Sequence, residues 1–334
     1  MSHSNIAIFV PHLGCKCRCS FCDQNSITNE NTAPNADDIH NAVLIAKKSK
    51  KYNSETTQIA FFGGSFTAIE RDYMVSLLQA AYVHIKNGDV SGIRISTRPD
   101  CIDDEILSLL KSLGVTAIEL GAQSMDDDVL LLNRRGHTSQ DVVASSKLIK
   151  SYGFELGLQM MTGLYGDTFE KSMKTAEKII ELAPKTVRIY PTVVFENTLL
   201  ASLYKQDKYT PQTVENAVKL GALLIPMFKK SGISVIRFGL HSADTEKIIG
   251  GAWHPALAQL VHSEIFKNDI QEELLKMPKG DYIIECNPKD ISSIIGHKRC
   301  NIDFFSELGY NCRVIQNSEK IKNQFKITER KVYR

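Results

Sequence analysis

Gly14-Cys15-Lys16-Cys17-Arg18-Cys19-Ser20-Phe21-Cys22-Asp23-Gln24 follows closely on the apolar run Ile6–Val10. Four of the chain's eight cysteines stand within the eight positions from 15 to 22. Packing has no use for that density, and disulfides between such close neighbours would be badly strained. A loop leaving a buried strand is a natural place to hold a metal cluster by its thiolates. Cys15, Cys19 and Cys22 have the spacing Cys-x3-Cys-x2-Cys. Three thiolates on a tight loop can hold three irons of a cubane and leave the fourth open to a substrate or cosubstrate, like the open position of a catalytic zinc centre. Cys17 complicates the set. With four thiols, a structural zinc or a four-thiolate cluster is the alternative, although zinc ligands usually form two separated pairs and Cys15, Cys17 and Cys19 crowd one side.

Working outward, 334 residues suffice for one large α/β domain or a barrel with a small appendage. A formal charge of +2 gives no global push toward nucleic acid. No run of eighteen apolar residues is present, and the start MSHSNIAIFV lacks the basic region and processing site of a secretory signal, so a soluble, cytoplasmic chain with no membrane contact is expected. Eight cysteines, half of them clustered, suit a reducing compartment and metal ligation.

Strands are expected at 4–10, 58–62, 92–96, 115–120, 154–160, 186–190 and 233–238. Helices are expected between them at 37–51, up to Lys86, 103–113, 126–133, 139–152, 168–182 and 211–230. A strand followed by a helix about every thirty residues is a chain of βαβ units with right-handed crossovers. No Gly-x-Gly-x-x-Gly opens the first helix, which disfavours a dinucleotide fold. The Cys-rich, Gly-rich and polar points all follow strand ends: Cys15–Cys22, Gly63–Thr67, Ser96–Arg98, Gln123 and Gly163. A barrel brings such ends to one face, so a curved, partly open barrel is preferred to a flat doubly wound sheet. The barrel is assigned to 1–240 and a C-terminal extension with a small α/β domain to 241–334. There the sequence suggests a helix over 256–275, strands at 282–285, 312–315 and 325–327, and a helix over 301–308.

The cysteine spacing, with Phe21 before the last cysteine, resembles the Cys-x3-Cys-x-aromatic-Cys pattern of the radical S-adenosylmethionine (SAM) superfamily. Gly63-Gly64-Ser65-Phe66-Thr67 is similar to that superfamily's glycine-rich segment. Residues 119–124 (ELGAQS), 133–138 (NRRGHT), 159–164 (QMMTGL) and 188–192 (RIYPT) resemble the radical domain of elongator-type catalytic subunits, which modify tRNA. The similarity spans about residues 5 to 262. It implies a partial (β/α)6 TIM-like barrel and a [4Fe-4S] cluster on Cys15, Cys19 and Cys22, with SAM chelating the unique iron. It also implies an external one-electron donor such as flavodoxin or ferredoxin, and cleavage of SAM to methionine and a 5'-deoxyadenosyl radical that takes hydrogen from substrate. Cys17 departs from the pattern, and the chain stops before an acetyltransferase domain of elongator type would fit, so an identical function is not expected.

A SAM site needs partners for the aminoacyl group, a surface for adenine and a dry pocket. Gly63 and Gly64 let the backbone approach closely, and Ser65 and Thr67 offer hydroxyls; a plain strand-to-helix turn would look similar. Phe21 either stacks near adenine or plugs the barrel mouth, the family pattern favouring the first. Ser96 suits ribose hydroxyls and Arg98 a carboxylate, against a helix cap and a surface charge. Gln123 is polar at a strand end where packing would prefer an apolar side chain. Gln159 either faces the barrel interior or is a buried structural amide. Glu119 reads as a buried counter-charge for Arg188 or as a substrate contact. Residues 133–137 read as a phosphate-receiving turn or a solvated helix end.

In the tail, Ile294-Ile295-Gly296-His297-Lys298-Arg299 resembles the backbone-clamping loop of KH modules, but Arg299 in place of the second glycine weakens the parallel and favours a strand–turn–helix joint with solvated charges. Residues 311–334 carry seven Lys or Arg against two Glu, which suits a phosphate backbone or simply a soluble terminus. Three functions follow: radical SAM chemistry on an RNA base, with tRNA as the substrate class; the same chemistry on a small metabolite or protein side chain; and a zinc-stabilised nucleic-acid-binding protein without catalysis.

Overall fold

The computed structural model describes residues 4–10, 15, 18–23, 32–240 and 245–330. Cys17 lies outside the described residues, as do the terminal basic residues Lys331 and Arg334. The chain's contacts divide it into two units, Met1–Thr213 with Met227–Trp253, and Val214–Pro226 with His254–Arg334.

The first unit is built on a seven-stranded parallel sheet. Its strands are β1 (Ser4–Val10), β2 (Thr57–Gly63), β3 (Gly92–Thr97), β4 (Val115–Gln123), β5 (Glu155–Thr162), β6 (Thr186–Pro191) and β8 (Ser234–Phe238). Spatial order follows chain order from β1 to β6, and β8 then pairs with β6. Among the described residues no strand joins β1 to β8, so the sheet is an open half-barrel rather than a closed one or a doubly wound fold with a reversal of strand order. Between them come α1 (Ala36–Lys47), α2 (Arg71–Lys86), α3 (Asp104–Ser112), α4 (Asp127–Leu132), α5 (Ser139–Ser151) and α6 (Phe169–Glu181). β3 is buried at every position, and Ile59, Ala60 and Phe61 of β2 are wholly inaccessible, as expected of strands covered on both faces. β1 is instead an edge strand that buries only Ile6, Ile8 and Val10.

Sequence reasoning ran α1 to Lys51, but the helix stops at Lys47 because the chain turns through Lys48 and Ser49. It also missed a two-stranded ribbon of β7 (Val193–Phe195) and β9 (Ile248–Gly251), and α7 (Leu199–Lys205), which are too short to show periodicity.

The second unit contains α9 (Leu257–Leu274), β10 (Gly280–Cys286), α10 (Ile291–Ile295), α11 (Cys300–Glu307), β11 (Tyr310–Gln316) and β12 (Phe325–Glu329). The helix between Val214 and Lys230, α8, crosses from this unit into the first at Pro226. β10 is central, parallel to β11 and antiparallel to β12. Its inward residues Tyr282, Ile284 and Cys286 form a core with Phe266, Ile270, Ile302 and Phe305.

Candidate active site

The candidate site lies where the parallel strands end. β2 closes on Gly63, whose φ of +115° belongs to glycine, and a Cβ there would meet the Val10 carbonyl oxygen at 2.6 Å. The Gly64 N–H donates to that same oxygen at 3.0 Å. The glycine pair is thus pressed against the point where the cysteine loop leaves β1. Further on, the loop is tied to the rest of the unit. The Ser20 hydroxyl donates to Asn133 Oδ1 at 2.6 Å, the Ser20 N–H donates to the Asn133 carbonyl at 3.1 Å, and the Ser20 carbonyl accepts from the Leu200 N–H at 2.8 Å. Asn133 is fully buried, and its amide donates onward to the carbonyls of Val129 and Tyr165.

Cys15, Cys19 and Cys22 line one cavity of about 470 Å³ together with Phe21, Gly63, Gly64, Ser96, Arg98, Gln123 and Gln159. That volume suits a nucleoside-sized ligand. Of the cofactor-site residues expected from sequence, Ser65 and Thr67 stand apart from the lining. Their hydroxyls meet Thr97 Oγ1 at 2.9 and 2.6 Å, and Thr67 also donates to the Cys101 carbonyl. They brace Thr97, which does face the cavity. Phe21 packs one side on the apolar cluster of Val194, Leu200, Ala201 and Tyr209.

Burial pushes the Cys22 thiol up to about 12, and neighbouring Cys19 and Cys15 add to the shift. Cys15 is raised for the same two reasons, burial first and then Cys19. Three thiolates in one cavity are therefore tolerable only beside strong positive charge, which iron would supply. Part of that charge belongs to the protein. Arg135, 6% exposed, donates through Nη1 to Cys19 Sγ at 3.0 Å and through Nη2 to the Gly121 carbonyl at 2.7 Å. Among the described residues no three His, Cys, Asp or Glu side chains gather tightly enough to share a single metal ion; a cubane takes one thiolate per iron.

Three polar atoms of the lining residues are buried without a hydrogen-bond partner among the described residues: Arg98 Nη1, Gln123 Oε1 and Arg135 Nε. The other two nitrogens of the Arg98 guanidinium fork onto Asp100 at 2.8 and 2.9 Å. A spare donor and a spare acceptor suit the carboxylate and ammonium of an amino acid, or a ribose hydroxyl. Gln123 has φ +65°, a left-handed conformation that turns the chain at the end of β4. Gln159 donates to Glu119 Oε2 at 3.1 Å and to the Ser96 hydroxyl at 3.3 Å, so a charged residue below the cavity orients it.

Glu119 is the counter-charge of Arg188. It accepts from Arg188 Nε at 2.7 Å and Nη2 at 3.1 Å, and from Arg94 Nη1 at 3.3 Å. Residues 133–137, by contrast, correct the sequence reading of a phosphate-receiving turn or a solvated helix end. Only Arg134 and Gly136 face solvent; Asn133, Arg135 and His137 are buried. His137 donates from Nε2 to the Ala122 carbonyl, and burial followed by the Arg135 charge lowers its pKa to about 4. The one cue in the sequence is the alternation of Asn133, Arg135 and His137.

Residues 9–179 match the Radical SAM superfamily, and residues 184–267 match the Radical_SAM C-terminal domain. The chain belongs to the radical SAM superfamily. It is 26% identical over 294 residues to a tRNA uridine(34) acetyltransferase of Methanocaldococcus jannaschii, covering 81% of this chain and 53% of that protein. It is 29% identical over 200 residues to human Elongator complex protein 3, covering 54% of this chain and 37% of that one. The structure of archaeal Elp3 from Methanocaldococcus infernus with residues 1–46 deleted superposes with a TM-score of 0.65 at 20% identity, covering 80% of this chain and 63% of that chain. The chain thus spans about half the length of the tRNA uridine(34) acetyltransferase it matches. The radical SAM protein is an enzyme of SAM-cleaving, radical-based chemistry, and membership of the superfamily implies a [4Fe-4S] cluster and bound SAM. No described helix is long and apolar enough to cross a membrane.

Proposed function

We propose that Cys15, Cys19 and Cys22 hold the [4Fe-4S] cluster, that SAM occupies the cavity beside it, and that the radical so produced takes a hydrogen atom from a base in RNA, tRNA being the substrate class. The convergence of the three thiols with Gly63, Gly64, Arg98 and Gln123 on one cavity carries this reading. The matched tRNA uridine(34) acetyltransferase, aligned over 81% of the chain, directs it to RNA. When bound, the cluster supplies the electron that splits the sulfonium C–S bond of SAM, and an external donor such as flavodoxin or ferredoxin replenishes that electron.

The remaining roles fall to the chain itself. Backbone groups of Gly63 and Gly64 meet the amino end of SAM, with no side chain intervening. Arg98 Nη1 pairs with its carboxylate, and Gln123 Oε1 accepts from its ammonium or from the ribose. Ser96 and Gln159 bind the ribose side, and Phe21 covers the adenine while shielding the cavity from water. Arg135 offsets the thiolate charge at Cys19.

The test is anaerobic reconstitution followed by iron analysis, 5'-deoxyadenosine release under reducing conditions, and mass spectrometry of nucleosides from wild-type and deletion cells. About four irons per chain are expected. Cys15→Ala, Cys19→Ala and Cys22→Ala should each abolish SAM cleavage, whereas Cys17→Ala keeps its iron. Iron loss in Cys17→Ala with full iron in Cys15→Ala would refute the ligand set, and identical tRNA nucleosides in the two strains would refute the substrate.

A further inference from the structure

The second unit presents an exposed loop with two adjacent cations, none of whose residues lines the cavity described above. α10 and α11 are joined by Gly296-His297-Lys298-Arg299, and both helices pack on β11, the edge strand of their sheet. The inner side of this loop is fixed. Gly296 has φ +80°, and a Cβ there would lie 2.6 Å from Cys300 Sγ and 3.0 Å from the Asn301 nitrogen, so only glycine fits. Asn301, 2% exposed, donates to the carbonyls of Ser293 and Ile294 at 3.1 and 3.2 Å and to Ser263 Oγ at 3.0 Å. Its side chain therefore ties the end of α10 and the start of α11 to α9.

The outer side is the reverse. His297, Lys298 and Arg299 are all exposed, and among the described residues Lys298 and Arg299 make no ion pair or side-chain hydrogen bond. Asp303, the acid of α11's first turn, is exposed and leaves both cations unpaired. Lys298 and Arg299 nevertheless hold consecutive left-handed conformations, φ +51° and +68°. Such conformations are unfavourable for residues with a Cβ, and a pair of them persists only where the surroundings impose it. Arg299 thus adopts, with a charged side chain attached, the backbone conformation of a glycine.

We infer that Gly296–Arg299 clamps the sugar–phosphate backbone of single-stranded RNA. A strand–helix–loop–helix–strand core with a rigid four-residue loop opened by glycine is how KH modules hold a short run of backbone nucleotides. Here the two adjacent cationic side chains of Lys298 and Arg299, unneutralised by the described residues, complement the phosphates. The choice of RNA as occupant rests on the substrate class proposed above.

The test uses the full chain and a labelled single-stranded oligoribonucleotide of roughly ten nucleotides, with binding followed by fluorescence anisotropy over a range of salt concentrations. Wild type should bind it more tightly than duplex RNA or single-stranded DNA of the same sequence. Lys298→Glu with Arg299→Glu should weaken binding more than about tenfold and lower the slope of log K against log[salt] by about 1.4, two phosphate contacts' worth. SAM cleavage without RNA should be unchanged. Lys298→Gly with Arg299→Gly relieves the backbone and removes the charge, so it separates misfolding from lost contact: it should melt no lower than wild type and still bind weakly.

If wild type binds and both variants bind equally well, the clamp is refuted while the RNA substrate stands. Equal affinity for single-stranded DNA would refute RNA as the preferred occupant. If the variants lose binding but tRNA nucleosides are the same in wild-type and deletion cells, the clamp stands and the proposed substrate falls.

Discussion

Replacing Glu119 with Gln removes one charge from the buried layer that supports Gln159 of the cavity lining and changes almost no volume. Glu119 is 1% exposed and accepts from Arg94, Arg188 and Gln159. Arg94 keeps the Glu155 carboxylate at 2.6 Å and Gln58 at 3.0 Å, so it stays paired. Arg188 keeps only the Phe62 ring, 5.0 Å from its guanidinium carbon, and the Tyr190 side chain. Breaking a buried pair from one side costs roughly 3–5 kcal/mol, because the other charge is stranded without water. With one of the two arginines still paired, the lower end applies, about 3 kcal/mol, a large part of a typical total of about 5–15 kcal/mol. Urea unfolding followed by fluorescence of the sole tryptophan, Trp253, reads this directly, since Trp253 belongs to the first unit. Adding Arg188→Met should recover most of the loss, as no charge is then left unpaired. SAM binding should weaken as well, because Gln159 loses its charged acceptor. A loss under about 1 kcal/mol for Glu119→Gln would refute the claim that this carboxylate neutralises buried arginine.

Three further outcomes are expected. Arg135→Gln should lower iron retention against a chelator by about 10–100-fold, the usual cost of losing a partner of a metal ligand, and wild-type iron content after the challenge would count against a role at Cys19. Gly63→Ala should lower both the melting temperature and SAM affinity, since a left-handed φ and a 2.6 Å approach to the Val10 oxygen leave a methyl group no room; an unchanged melting curve would show that β1 and β2 separate there at little cost. His137 adds a pH dependence. Its folded pKa of about 4 lies below the unfolded value near 6.5, so the unfolded chain binds more protons between the two. Stability is full above about pH 6.5 and falls by about 3 kcal/mol as pH drops to about 4, and urea titrations of cluster-free protein at several pH values should show His137→Leu flatter than wild type across that window.

The half-barrel was legible because each central strand is a compact apolar run and each crossover helix is long enough to show its period. Phe61 of β2 and Ile95 of β3 are wholly buried, as such runs require. The chemistry-bearing points were legible because they punctuate strand ends with residues packing would not select. The short strand β7 and the short helices α7 and α10 were not, since three paired residues or one to two turns carry no clear periodicity. Ser65 and Thr67 were read toward the cavity because a hydroxyl in a glycine-rich turn gives no direction; only the position of Thr97, thirty residues on, shows where they point.

The barrel's interior charges illustrate a deeper limit. Gln58, Arg94, Glu119, Glu155 and Arg188 come from five different strands, and of their pairings sequence suggests only that of Glu119 with Arg188. The parallel register supplies the rest, because it sets Gly157 beside Glu119 and Arg188 beside Gln159. Gly157 belongs to the same device, as a Cβ there would meet Glu119 Cγ at 2.8 Å and drive the carboxylate off its arginines. A charged layer under an open-ended cavity is costly to build, and an apolar layer of the same shape would often be as stable. What the apolar layer would lack is a fixed acceptor for Gln159, whose amide also donates to the Ser96 hydroxyl. The charge pairing is therefore best understood as the support that holds Gln159 and Ser96 of the cavity lining in one orientation, so Glu119→Gln should alter SAM affinity even in conditions where the folded population is unchanged.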